Sequence, residues 1–168
     1  MKHIIIKGIG PDRPGIVANI SGMVTSNEGN IEESRMIRLG SEFSIIMMIS
    51  IPAKNEFNLT SNLESIDGIK FYLTDTTKLP SHDTPNYTIS LSGADNEGIV
   101  HRFTDFLTGM GINIIEMITD TGNAPITGST IFHMIAKINI DEPKKKELLE
   151  KLSGIENNMG LEISLSKI

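Results

Sequence analysis

The sequence predicts an α+β fold of two βαββαβ modules, in which each module is an antiparallel sheet with both helices on one face. Two observations predict it. The 168-residue chain repeats itself once, and each copy passes through strand-like and helix-like segments in the same order. This length suits two small domains, and two copies are too few for a stacked-repeat protein.

The repeat is clearest around a Gly-Ile-Val segment. Gly15-Ile16-Val17 returns 83 residues later as Gly98-Ile99-Val100. The same separation relates Gly10 to Gly93, Asp12 to Asp95, and Asn30-Ile31 to Asn113-Ile114. The separation then grows to 89, because Phe43 to Ile51 matches Phe132 to Ile140. The second copy has therefore gained six residues, which we place around Gly122-Asn123-Ala124-Pro125.

The first copy begins with a strand and a helix. Residues 3–10 are β-branched and apolar, which is typical of a strand, and Gly10-Pro11-Asp12 ends it. Residues 13–27 carry apolar side chains at helical spacing, so they are predicted to form an amphipathic helix. Asp12 is the expected N-cap, accepting a hydrogen bond from the Gly15 amide, with Pro14 in the first turn.

The remaining elements of the first copy are a hairpin, a helix and a strand. Residues 30–39 and 43–51 are strands joined by the short turn Leu39-Gly40-Ser41-Glu42. Residues 57–67 are predicted to be helical up to Gly68, a C′ glycine, and residues 69–76 form the last strand. This order gives the ferredoxin-like arrangement. The second copy repeats it with strand 87–93, helix 96–109, strands 113–121 and 129–140, helix 142–153 and strand 159–166.

The copies are predicted to be separate domains, residues 1–77 and 87–168. Residues 78–86 between them contain two prolines and several polar residues, which is typical of a linker. Each module alone leaves one sheet face bare and two strand edges exposed. We therefore expect a homodimer that pairs through edges or faces.

Composition excludes several kinds of site. The net charge of −6 and the aromatic content of 5% disfavour direct binding of nucleic acid. The chain has no cysteine, so thiolate metal sites and cysteine nucleophiles are excluded. No apolar run approaches the roughly 20 residues that span a bilayer, and the N-terminus lacks the pattern of a signal peptide. We expect a cytoplasmic protein with no membrane contact.

Three segments of the first copy resemble the ACT domain family. They are Asp12-Arg13-Pro14-Gly15-Ile16-Val17, Gly29-Asn30-Ile31-Glu32-Glu33-Ser34-Arg35 and Leu39-Gly40-Ser41-Glu42-Phe43. More narrowly, the chain resembles the tandem ACT repressors of glycine cleavage genes, and its first segment is similar to the ACT domain of formyltetrahydrofolate deformylases. The resemblance is looser in the second copy, because Asp95-Asn96-Glu97-Gly98 lacks the Arg-Pro pair.

The resemblance implies an amino-acid sensor. A small amino acid such as glycine or serine would bind between ACT units, and the protein would control a partner, such as a transcription activator, by protein contact. No cofactor is implied. The loop after the first strand of one unit and the start of the second strand of its neighbour would supply the site. The candidate ligand-binding residues are Gly10, Pro11, Asp12, Arg13, Pro14, Gly15, Ile16, Val17, Asn30 and Ile31 in the first copy, and Asp95, Asn96, Glu97, Gly98, Ile99, Val100, Asn113 and Ile114 in the second.

Elementary chemistry supports such a site while leaving simpler roles open. A helix N-terminus offers unpaired amides to a carboxylate, and a glycine there lets a ligand approach the backbone. An asparagine offers a donor and an acceptor to a zwitterion, and Arg13 could meet a carboxylate. The aspartates could equally be helix caps, the glycines could serve packing, and the asparagines could shape turns.

The chain shows no recognisable catalytic motif. The histidines have no ligand spacing, and neither a phosphate loop nor a nucleophile elbow occurs. We therefore predict that the protein is not an enzyme and has no metal site. The alternatives are a small acylphosphatase-like enzyme, an RNA-binding or metal-delivery module of the same fold, and a ligand-free protein-interaction module.

Overall fold

The computed structural model describes residues 1–77, 84–123 and 128–168. The chain divides into two compact units, Met1–Leu79 and Pro80–Ile168. Most of the predicted linker, residues 78–83, lies outside the described residues, as do residues 124–127 of the predicted insertion. The placement of the domain boundaries therefore stays a prediction.

The first unit has the predicted βαββαβ order. Its elements are β1 (Lys2–Pro11), α1 (Ile16–Ser26), β2 (Asn30–Leu39), β3 (Glu42–Ile51), α2 (Glu56–Glu64) and β4 (Lys70–Thr76), with a short 3₁₀ turn at Ala53–Asn55 before α2. All neighbouring strands are antiparallel, in the order β2-β3-β1-β4.

The second unit repeats this arrangement. Its elements are β5 (Tyr87–Ala94), α3 (Ile99–Gly109), β6 (Ile114–Asn123), β7 (Thr130–Ile138), α4 (Glu142–Met159) and β8 (Leu161–Lys167). The strand order is β6-β7-β5-β8, which is the order of the first sheet, again with antiparallel neighbours. The predicted α+β fold of two such modules is confirmed.

Each unit buries its core between one sheet face and its two helices. In the first unit, alternate side chains such as Ile4 and Ile6 of β1 and Met47 of β3 pack with Ile20 of α1 and Leu63 of α2. Ile89, Met134, Phe103 and Leu148 form the corresponding layer in the second unit. Both helices of a unit pack on this one face, so among the described residues the opposite face carries no helix of its own unit. Strand side chains that alternate away from the core lie on that face.

Several helix ends differ from the prediction. Helices α1 and α3 each begin three residues later than predicted, because Gly15 and Gly98 have left-handed backbones that a helix cannot include. Helix α2 ends at Glu64, so Gly68 lies in the following turn and is not its C′ residue. Helix α4 runs on to Met159 and stops at the left-handed Gly160. No helix in the described residues is long and apolar enough to cross a membrane.

Candidate functional site

The tip of α1 is open. Gly15 precedes the helix with φ of 90°, and no side chain caps the first turn in the described part of the chain. A Cβ placed on Gly15 would meet no atom within 4 Å, so this glycine serves its backbone conformation and is not packed against a neighbour. The first-turn amides are therefore in the position from which a helix N-terminus binds an anion.

The tip of α3 repeats this geometry. Gly98 has φ of 79°, and again no side-chain cap is present among the described residues. The nearest atom to a Cβ on Gly98 would be Nε of Arg102, at 3.9 Å. Helix α4 differs, because Asp141 accepts a hydrogen bond from the Lys144 amide at 2.9 Å. The two related helices thus share an uncapped start that another helix of the same chain does not have.

Asp12 and Asp95 do not cap their helices, and the prediction that Asp12 would do so is wrong. Each lies in the loop before the left-handed glycine, and each uses its backbone to hold that loop to the sheet. The Asp12 amide donates to the Ser41 carbonyl at 3.0 Å, and the Asp95 amide donates to the Thr130 carbonyl at 3.2 Å. The Asp12 carboxylate instead lies 3.9 Å from the guanidinium of Arg38.

One arginine lies at each loop, but the two reach it from different places. Arg13 precedes α1 and donates to the Asp67 carbonyl at 2.7 Å, which ties the loop to the α2–β4 turn. Arg102 lies in the first turn of α3 and donates back to the Glu97 carbonyl at 2.9 Å. The second unit lacks the Arg-Pro pair, yet Arg102 places a cation beside its helix tip.

Sequence reasoning missed Arg102, Arg38 and Asp67. A signal for Arg102 was present, because it follows Gly98 by four residues and therefore lies on the same side of the helix one turn on. No comparable signal marked Arg38 or Asp67, because they come from a strand and a turn that only the fold brings to the loop.

Three of the candidate residues, Gly10, Ile16 and Ile99, are closely packed at the base of the loops, as is Gly93 in the second unit. A Cβ on Gly10 would collide with the Gly68 carbonyl, and one on Gly93 would lie 2.9 Å from the Gly160 carbonyl oxygen. The side chains of Ile16 and Ile99 are in the cores, at 3% and 2% exposure. These residues can present only backbone to a ligand. The exposed members of the two loops are Pro11, Asp12, Arg13, Pro14, Gly15, Val17, Asp95, Asn96, Glu97 and Gly98, whereas Val100 is half-buried.

Within one unit, the structure does not bring the asparagines to the helix tip. Asn30 pairs with Ser50 of β3, whereas Gly10 pairs with Phe43, so they lie at opposite ends of the sheet, about 24 Å apart at the rise of a strand. In the second unit Ile114, which follows Asn113, pairs with Ile138, whereas Gly93 pairs with Phe132, a separation of about 20 Å. A site that uses both segments must therefore combine two units.

The arrangement is suited to binding an anion. It offers backbone amides and an arginine, which are donors for a carboxylate. Among the described residues, no group of three or more histidine, aspartate or glutamate side chains is arranged to hold a metal ion.

The comparisons with known proteins agree with this fold. The family model for the ACT domain matches residues 2–67. The chain is 32% identical over 127 residues to the glycine cleavage system transcriptional repressors of Escherichia coli (strain K12) and Shigella flexneri. These alignments cover 71% of this chain and 65% of each repressor, so the chain spans just under two thirds of the relatives' length.

Two solved structures match the whole chain. A crystal structure of an unknown protein from Galdieria sulphuraria has a TM-score of 0.87 and 33% identity, covering 99% of this chain and 98% of that one. A crystal structure provisionally assigned as a glycine cleavage system transcriptional repressor has a TM-score of 0.72 and 25% identity, covering 99% and 97%. The chain is an ACT-domain protein and a homologue of the glycine cleavage system transcriptional repressors.

Proposed function

We propose that this protein is a cytoplasmic amino-acid-responsive regulator that binds glycine or a similarly small amino acid and controls a partner by protein contact, without catalysing a reaction. The observation that carries the proposal is the open tip at both α1 and α3, where a left-handed glycine precedes amides that no side chain caps. The relationship to the glycine cleavage system transcriptional repressors supports a role in transcriptional control. Glycine as effector and a transcription activator as partner are part of this proposal.

The ligand's carboxylate accepts from the first-turn amides of one helix. The positive end of the helix dipole and the nearby arginine favour a negative charge there. The open space at Gly15 and Gly98 leaves room for the ligand's main-chain atoms against the protein backbone.

The ammonium is bound by a second unit. Asn30 and Asn113 are exposed at the starts of the second strands and lie too far from the helix tip of their own unit to share its ligand. Their amide oxygens would accept from an ammonium when a neighbouring unit brings them to the tip. Ligand binding would therefore stabilise one arrangement of units, which is how binding could change the surface presented to a partner.

The size of the ligand bounds the affinity. Glycine has five heavy atoms, and at about 1.5 kcal/mol per atom its binding free energy reaches at most about −7.5 kcal/mol. The corresponding dissociation constant is a few micromolar at best, which suits a sensor of a metabolite pool.

A thermal-shift screen of the full chain over the twenty amino acids tests the proposal. Glycine or serine should raise the melting temperature, because a ligand that binds only the folded state stabilises it. Glycinamide is the matched control, since it has nearly the same size but lacks the carboxylate, and it should have no effect. If no amino acid shifts the melting temperature, a ligand-free protein-interaction module becomes the better explanation. An equal shift with glycinamide would exclude the helix tips as the carboxylate site.

A further inference from the structure

The helix-free face of the first sheet, which we call the first open face, is rich in exposed apolar side chains. Ile9, Ile37 and Ile46 are 47%, 48% and 44% exposed, and Tyr72 is 60% exposed. Their strands place them together, because Ile46 and Tyr72 flank Lys7 on either side, and Ile9 lies beside Ser44, which also pairs with Ile37. A contiguous apolar area of this kind marks an interaction surface.

The central rows of the first open face are also basic. The three cross-strand rows centred on Ile5, Lys7 and Ile9 carry the cations Lys7, Arg35 and Lys70 against the single carboxylate Glu33. Two such faces would repel each other if they met directly. The charge therefore favours a partner surface with excess carboxylates.

The helix-free face of the second sheet, the second open face, has the opposite character at the corresponding positions. Its three rows carry the carboxylates Glu116, Asp120 and Glu162 against the single lysine Lys137. Exposed Ile118 and Ile135 lie side by side at its centre and provide apolar contact area.

The second open face is also indented. Ser90, Ser92 and Ser164 are small side chains on this face, and together with His133 and Glu162 they form part of the lining of an open depression of about 450 Å³. The first open face instead presents the protruding ring of Tyr72 next to Lys7 and near Lys70. One face thus offers an aromatic ring between cations, and the other offers a depression bordered by a carboxylate.

We propose that the first open face of one molecule binds the second open face of another copy of this chain. The contact is reciprocal, so that two copies bury both pairs of faces around a twofold axis. It concerns sheet faces and does not depend on amino-acid binding at the helix tips.

The contact area favours a reciprocal contact over a single one. Four strands spaced about 4.8 Å apart and about seven residues long give a face of about 440 Å². One face-to-face contact would bury about 900 Å² in total, which is less than specific interfaces require, whereas two would bury about 1,800 Å². A pair of copies reaches a typical interface size with no additional surface.

A charge exchange between two variants of the full chain tests the proposal. The first variant carries Lys7→Glu and Lys70→Glu, and the second carries Asp120→Lys and Glu162→Lys. In each variant taken alone, the two faces that must meet carry charges of the same sign. Each variant should therefore self-associate at least tenfold more weakly than wild type. Mixing the two should restore association, because both contacts of the mixed pair again join opposite charges.

Sedimentation equilibrium at low salt measures the result. Wild type and the equimolar mixture should have twice the 18.4 kDa mass of one chain, and each variant alone should approach one chain mass. A control variant carries Lys54→Glu and Lys146→Glu. It changes the net charge by the same amount as the first variant but at positions away from both open faces, so it should leave association unchanged. Circular dichroism and melting temperatures establish that the variants fold. A monomeric wild type, dimeric single variants, or a mixture that stays monomeric would overturn the proposal.

Discussion

Gly98 repeats the left-handed backbone of Gly15, with φ of 79° against 90°, and each residue immediately precedes a helix of eleven residues that begins without a side-chain cap. An uncapped helix start forgoes a stabilising hydrogen bond. This loss is unfavourable for stability alone, and it occurs at two matching places in the chain. This is the pattern expected where a helix end is kept available for an external anion.

The conformation of Gly15 predicts opposite effects for two similar substitutions in the first unit. Gly15→Ala should lower the free energy of unfolding by about 1–2 kcal/mol, because an alanine is strained in the left-handed region. Gly22→Ala, inside the exposed side of α1 with open space around it, should raise it by about 0.5–1 kcal/mol. Urea unfolding of both variants measures the difference. Equal effects would mean that Gly15 does not hold this conformation.

Close packing at Gly10 predicts a larger loss. Gly10→Ala should destabilise the protein by about 2–3 kcal/mol, because the added methyl group would meet the Gly68 carbonyl and the Ile69 side chain. Gly154→Ala in α4, where nothing lies within 4 Å, is the control and should be neutral or stabilising. Calorimetric melting of both variants checks the pair. A Gly10→Ala protein as stable as wild type would contradict the packing described for the loop.

Asp141 and Asp12 both precede helices, but they should contribute differently to the stability of the fold. Asp141→Ala should cost about 1 kcal/mol, because its carboxylate caps α4 through the Lys144 amide. Asp12→Ala should change stability by less than about 0.5 kcal/mol, because the Asp12 side chain caps nothing and meets Arg38 only at 3.9 Å. Chemical denaturation distinguishes the two. A large effect at Asp12 would restore the capping role that its sequence position indicates.

The contact between Tyr87 and Glu142 predicts an acid-sensitive contribution to stability. The Tyr87 hydroxyl donates to the Glu142 carboxylate at 2.8 Å, and this bond, with the nearby Lys145 ammonium, lowers the pKa of Glu142 from its ordinary value of 4.5. A depressed folded-state pKa stabilises the protein above the unfolded-state value, and the contribution is lost as the pH falls through the folded-state value.

Glu142→Gln should therefore reduce stability at neutral pH and remove part of the stability loss below about pH 4.5. Urea midpoints measured from about pH 7 to about pH 3 provide the test, with Glu150→Gln on the same helix as a charge-matched control. If both variants follow the wild-type curve, the Tyr87 contact does not stabilise the fold.

The strands were predictable because their determinants are local. Alternating apolar residues in β1 and β3 indicate both the strand and its buried face, and the Gly40-Ser41 turn predicts the hairpin, whose register pairs Leu39 with Glu42 as observed. Because the second copy follows the same order of segments, it provided a second, independent prediction of each element. The β-bulges after Ile31 and Ile114 were not predicted, since no glycine or proline marks them.

The helix starts were less predictable because they depend on distant partners. An aspartate three residues before Gly15, with a proline two residues after it, is a good local cap signal. Hydrogen bonds to distant segments, from the Asp12 amide to Ser41 and from Arg13 to Asp67, hold that loop in place instead. The separation of Asn30 from the α1 tip likewise follows from strand order, which no local pattern contains. The candidate loops could therefore be named from sequence, whereas the need for a second unit could not be derived from local patterns.

The most direct test of amino-acid binding at the helix tips is a titration of the ¹⁵N-labelled full chain with glycine, followed by backbone amide NMR. The account predicts saturable shifts that are largest at residues 15–18 and 98–101, with smaller ones at Asn30 and Asn113, and no such pattern with glycinamide. Shifts confined to other regions, or none at millimolar glycine, would contradict it.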